Sequence, residues 1–204
     1  MSGYKPVGSE LLYSNFGAAT TSTPTASPGS SMIIGYPPIV VPGGYFSNVG
    51  SWSSSLKFEM GGLLTATATI PTFQFQLNAI VQANPVVFST TSPVTLLQTT
   101  AVTPSAATAN VPWNIVGHIG LRTLSLGAAS TIAGWGWWMA STFAATAYTV
   151  ATPLVATAPA TGAYTPPATY DTAQTYNLWP TLILGTATTG NTVTTQYCKL
   201  YGEN

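Results

Sequence analysis

Phe73-Gln74-Phe75-Gln76-Leu77-Asn78-Ala79 decides the fold class of this 204-residue chain. Apolar and polar residues alternate through it, the period of a strand with one face in a core and the other outside. Upstream, Leu56-Lys57-Phe58-Glu59-Met60 repeats the pattern, with Leu56, Phe58 and Met60 on one face and Lys57 and Glu59 on the other. Gly61-Gly62 is expected to break that strand, a threonine-spaced strand over 63–70 to follow, and Pro71 to turn the chain into the Phe/Gln segment. Working outward, strands are expected over 94–100, 113–126, 131–139, 146–151, 176–184 and 193–201, with Gly190-Asn191 as a hairpin turn before the last. No window carries a 3.6-residue apolar repeat with capping residues, so helix should be scarce. Many short strands separated by Gly, Pro and Asn imply an all-β chain forming a single jelly-roll or β-sandwich domain.

Charge is the second constraint. Only four basic and four acidic residues are present, and between Arg122 and Asp171 there are none, against roughly a quarter charged in an ordinary soluble domain. Three settings tolerate this: a bilayer, a sheet surface of Thr, Ser and Asn, or an assembly whose members cover one another. The best candidate for a spanning helix, 124–155, is crowded with Thr, Ser and Gly, contains Pro153 and lacks flanking Lys or Arg. The first thirty residues hold Lys5, Glu10 and a Thr/Ser/Pro tract, so they do not read as a secretory signal, and a membrane barrel is not expected either. Zero net charge without a basic cluster argues against nucleic acid as a partner. A lone cysteine, Cys198, rules out an internal disulfide framework and reads as a small buried strand residue.

Residues 1–35 differ in character from 36–204. Thr20-Thr21-Ser22-Thr23-Pro24-Thr25-Ala26-Ser27-Pro28-Gly29-Ser30-Ser31 is polar and broken by proline, and reads as an extended N-terminal arm or linker ahead of the domain. Leu11, Leu12, Tyr13 and Phe16 form an apolar cluster in front of it, which reads either as a frayed terminus or as an arm ordered on a neighbouring subunit.

Groups able to do chemistry are few. His118 is the only histidine, and Glu10, Glu59, Asp171 and Glu203 are scattered, with neither a paired-acid spacing nor a metal cluster. A triad assembled from His118, Asp171 and a serine lacks any nucleophile-elbow pattern. Gly134-Trp135-Gly136 lacks the helix and lysine that cradle phosphate. No enzyme activity, cofactor or metal is expected. In Gly134-Trp135-Gly136-Trp137-Trp138, strand geometry sends Trp135 and Trp137 to one side and Trp138 to the other. Such aromatics fill a core or subunit interface, or stack on sugar rings as a glycan-reading face.

The last third, Tyr170-Asp171-Thr172-Ala173-Gln174-Thr175-Tyr176-Asn177-Leu178 and then Thr186-Ala187-Thr188-Thr189-Gly190-Asn191-Thr192-Val193-Thr194-Thr195-Gln196-Tyr197-Cys198-Lys199-Leu200-Tyr201-Gly202-Glu203, resembles a closing pattern of virion proteins from tailed bacteriophages. Ile39-Val40-Val41-Pro42-Gly43-Gly44-Tyr45-Phe46 resembles their opening, and Thr69-Ile70-Pro71-Thr72-Phe73 their turn into an alternating strand. The resemblance covers about residues 37–204 and departs in the tryptophan-rich segment, in Gly202 and in the paucity of charge. It implies a jelly-roll domain that assembles as a homotrimer, used as a capsid decoration or cement protein or minor capsid protein, or as a head-fibre or tail module that binds host glycan. The partners implied are a second and third copy, the major capsid protein and other virion proteins. The location implied is the capsid surface, after synthesis in the host cytoplasm. Burial beyond about 2,000 Å² per trimer would be typical of such obligate contacts. The uncharged stretch between Arg122 and Asp171 is then expected to be buried in the core or against neighbours, or to form Thr/Ser-faced loop.

Overall fold

The structure is a computed structural model that describes residues 9–15, 20–22, 31–33, 38–46, 55–66, 72–82, 94–99, 108–123, 131–141, 148–155, 171–185 and 191–203. Its regular elements are all strands: β1 (Ser9–Asn15), β2 (Thr20–Ser22), β3 (Ser31–Ile33), β4 (Ile39–Val41), β5 (Ser55–Ala66), β6 (Phe73–Val81), β7 (Val94–Gln98), β8 (Thr108–Thr123), β9 (Thr131–Ser141), β10 (Tyr148–Val155), β11 (Tyr176–Leu184) and β12 (Thr192–Glu203). Hydrogen bonding runs in the order β1-β12-β5-β8-β9-β10-β7-β6-β11-β3, with β2 also on β12 and β4 also on β11. Two antiparallel four-stranded sheets, β12-β5-β8-β9 and β10-β7-β6-β11, pack together as a β-sandwich. The pairs β5–β12, β6–β11, β7–β10 and β8–β9 are nested in sequence.

Alternation builds the interior as the Phe/Gln segment requires. Phe73, Phe75, Leu77 and Ala79 of β6 are buried against Leu56, Phe58 and Met60 of β5. The Phe58 and Phe75 rings stack across the two layers, with centroids 6.2 Å apart. Each such fully buried side chain contributes about 1.5–3 kcal/mol relative to exposure. Leu97 of β7 lies against the bare backbone of Gly117 in β8 and Gly134 in β9, and a Cβ at either glycine would run into it.

The expected break at Gly61-Gly62 does not occur. β5 continues through both glycines to Ala66, replacing the two strands expected there. The Tyr197 ring lies over Gly61, and Gly62 abuts the backbone of Thr194, so these glycines admit a close neighbour and the strand runs on. β8 starts earlier than expected, at Thr108, and carries a bulge opposite Leu64 and Ala66. Asn110 takes the positive φ of 55° there, a conformation asparagine tolerates better than most residues, and its N–H donates to Thr65 Oγ1 at 3.2 Å.

The described parts of the N-terminal segment are strands along the two open edges of the same chain's sandwich. β1 and β2 follow β12 antiparallel, and β3 and β4 follow β11. The break between β3 and β4 has a backbone cause. Gln82 N donates to Thr175 O, so in that ladder the odd-numbered residues of β11 bond to β6 and the even-numbered ones turn toward β3 and β4. Pro180 is even-numbered, has no N–H to give, and lies between the two edge strands' partners, Leu178 and Thr181.

Candidate functional site

The outer face of β12-β5-β8 gathers the charge that the rest of the described protein lacks. Among the described side chains, Lys57, Glu59, Lys199 and Glu203 lie on this face and only Asp171 is charged elsewhere. Register explains the clustering. Inward Leu56, Phe58 and Met60 force Lys57 and Glu59 outward, and inward Cys198 and Leu200 do the same for Lys199, Tyr201 and Glu203. Antiparallel pairing then sets Lys199 opposite Glu59, Tyr201 opposite Lys57, and Lys57 opposite His118.

Lys57 Nζ pairs with Glu59 Oε1 at 2.7 Å and sits 5.7 Å from the centre of the Tyr201 ring. The hydrogen bond to Glu59 holds the Lys57 ammonium above its ordinary pKa. Lys199 Nζ sits 6.0 Å from the Tyr197 ring centre, and burial raises the Tyr197 phenol. At the end of the face, Glu203 Oε2 accepts from Ser55 Oγ at 3.2 Å and meets His118 Nδ1 at 3.1 Å. One carboxylate thereby ties the end of β12 to β5 and β8. These groups are a fifth to a third exposed, so each pair contributes at most about 1 kcal/mol.

On this face the serine donates to a carboxylate, Ser55 Oγ to Glu203 Oε2, and the same carboxylate meets His118. Asp171, the other acid of the paper triad, is engaged in its own turn, where its Oδ1 accepts the Ala173 N–H at 3.0 Å. Among the described residues no group of three His, Cys, Asp or Glu side chains converges on a metal position, and no helix is long and apolar enough to cross a membrane. Cys198 is buried in β12, and burial pushes its thiol up to about 12.

The structure separates the residues singled out from the sequence. Leu11 and Leu12 are exposed on β1, while Tyr13 turns inward against the core; Phe16 lies outside the described residues. Trp135, Trp137 and Trp138 occupy β9 opposite His118, Val116 and Ile115, which places the tryptophan run beside the charged face; their side chains are outside the described set. Of the uncharged stretch, only Gly134 and Gly136 are described beyond the backbone, the second buried. Ser55, Tyr197 and Tyr201 escaped sequence reasoning. The alternation Gln196-Tyr197-Cys198-Lys199-Leu200-Tyr201 was the available signal, but only the register with β5 joins it to Lys57 and Glu59.

The second outer face, on β7-β6-β11, is neutral. Asn78 Nδ2 donates to Thr181 Oγ1 at 2.8 Å and its Oδ1 accepts from Thr95 Oγ1 at 2.8 Å. Gln76 Nε2 donates to Gln98 Oε1 at 2.9 Å. Comparison with protein-family models, with curated proteins and with solved structures gave no match.

Proposed function

We propose that this chain is a non-enzymatic structural protein of a tailed-bacteriophage virion, a trimeric jelly-roll protein that decorates and stabilises the capsid. The observation that carries the reading is the segregation of charge. A β-sandwich of this size gathers four of its five described charged side chains on one sheet face, which leaves the other described surfaces cheap to desolvate against neighbours. Two packed antiparallel four-stranded sheets are compatible with the sandwich that this reading requires. The likeness to virion proteins over residues 37–204 supplies the class of particle. Among the described residues of the N-terminal segment, Leu11 and Leu12 are the exposed large hydrophobics available for attachment.

Two measurements test the proposal together. Light scattering on the purified protein should give three times 21.1 kDa, and an antibody to the chain should decorate the heads of phage particles from the same source. A monomer that labels no particle would end the reading. Label confined to fibres or tail would replace decoration by the glycan-binding fibre role.

A further inference from the structure

The outer face of β12-β5-β8 continues onto β9, and strand register arranges it in rows. Residues directly opposite in an antiparallel pair share a face, so Tyr201, Lys57, His118 and Trp135 occupy one row across the four strands. The neighbouring row runs from Lys199 through Glu59 and Val116 to Trp137. Three strand spacings separate position 201 from position 135, about 14 Å at the backbone. Aromatic residues therefore hold the β12 and β9 ends of the first row, with hydrogen-bonding groups between them.

The chemistry of the middle strands is that of a polyol's complement. Lys57 Nζ and Glu59 Oε1, 2.7 Å apart, set a donor and an acceptor side by side, and both side chains stay a fifth to a third exposed. A hydroxyl donates one hydrogen bond and accepts two, so a sugar hydroxyl can serve both partners in place of water. The two lysines and two glutamates of this face sum to zero, which gives an anionic chain no net attraction and leaves a neutral one indifferent. Tyrosine and tryptophan rings offer apolar faces to the C–H side of a sugar. The polar groups are also held in place already, Lys57 by Glu59 and Tyr201, and Glu203 by Ser55 and His118, so little side-chain freedom is lost when a ligand arrives.

We propose that the outer face of β12-β5-β8-β9 binds a neutral oligosaccharide, with Tyr201 and Trp135 as stacking residues at its two ends and Lys57, Glu59 and His118 as the hydrogen-bonding groups between. The inference goes beyond the proposed function and does not depend on it, since the same face would serve a protein on a capsid or on a fibre.

The test uses the purified full chain, by titration calorimetry with cellohexaose, maltohexaose and chitohexaose, and with hexagalacturonate as the anionic counterpart. At least one neutral sugar should bind more tightly than hexagalacturonate, with less than about a twofold change in affinity between about 50 and 500 mM salt. Tyr201→Ala and Trp135→Ala should each weaken it about tenfold, whereas Tyr201→Phe, which keeps the ring, and Val40→Thr, on the opposite outer face, should leave it unchanged. Saturating sugar should slow amine labelling of Lys57 in the wild-type chain, a reading that does not depend on how the variants fold. Failure of all three neutral sugars to bind, preference for hexagalacturonate, or Lys57 labelling that bound sugar leaves unchanged overturns the inference and leaves the capsid role standing. Sugar binding by a chain that labels no particle overturns the capsid role alone.

Discussion

Thr99 offers the sharpest test of how β6 and β7 are held together within their sheet. It follows β7, is 1% exposed, and makes a closed pair with β6: its N–H donates to Phe75 O at 3.0 Å, and its Oγ1 accepts the Phe75 N–H at 2.8 Å. A side chain thus takes the place of a ladder carbonyl at the residue whose ring stacks on Phe58. Thr99→Val keeps the shape, removes the acceptor and strands a buried N–H, at about 1–3 kcal/mol. Thr99→Ser keeps the acceptor and loses one methyl, at about 0.8 kcal/mol. The expected order of stability is Thr, then Ser, then Val, although valine is the better strand former. In a chain of this length the valine variant should melt about 2–4 °C lower per kcal/mol lost. Urea titration followed by tryptophan fluorescence, at one fixed protein concentration because association shifts the midpoint, measures it. If valine equals or exceeds serine, the hydroxyl is not the partner of Phe75 and the account of this junction is wrong.

Other expectations are as direct. Gly62→Ala should destabilise by about 1–3 kcal/mol or more, because its Cβ would meet the backbone of Thr194, which cannot rotate away; Gly120→Ala, whose nearest neighbour is Ser55 Cβ at 3.8 Å, should be close to neutral. Native Cys198 should resist a thiol reagent until the chain unfolds. Burial raises its folded pKa to about 12 from a reference value of 9.0, so folding favours the neutral thiol. That stabilisation is complete below pH 9 and fades as pH rises toward 12, by up to about 1.4 kcal/mol per unit; Cys198→Ala should flatten this part of the alkaline stability curve. A double-mutant cycle on His118→Ala and Glu203→Ala should give a coupling of at most about 1 kcal/mol, and a value above twice that would mean the pair is far less hydrated than its partial exposure indicates.

Alternation made much of the sandwich legible before any coordinates. The segment Phe73-Gln74-Phe75-Gln76-Leu77 could bury only one set of side chains, and β11 coincides with its expected span of 176–184. Gly61-Gly62 looked like a break because glycine lowers strand propensity, yet the local preference yields where Tyr197 and Thr194 need bare backbone beside them. The pairing of β2 with β12 and of β3 with β11 was not legible, because these strands are three residues each and have no alternation of their own.

By itself, then, the sequence determined the class of structure and the scarcity of charge, since both follow from local period and composition. It also placed Lys57 and Glu59 on the face opposite Phe58. Only the tertiary structure decided which strands became neighbours. That choice brought Lys199, Tyr201 and Glu203 beside Lys57 and His118, and set Leu11 beside Tyr201 and Val40 beside Asn177. Pairing partners distant in sequence are selected by how the buried faces fit together, and no local pattern encodes that fit.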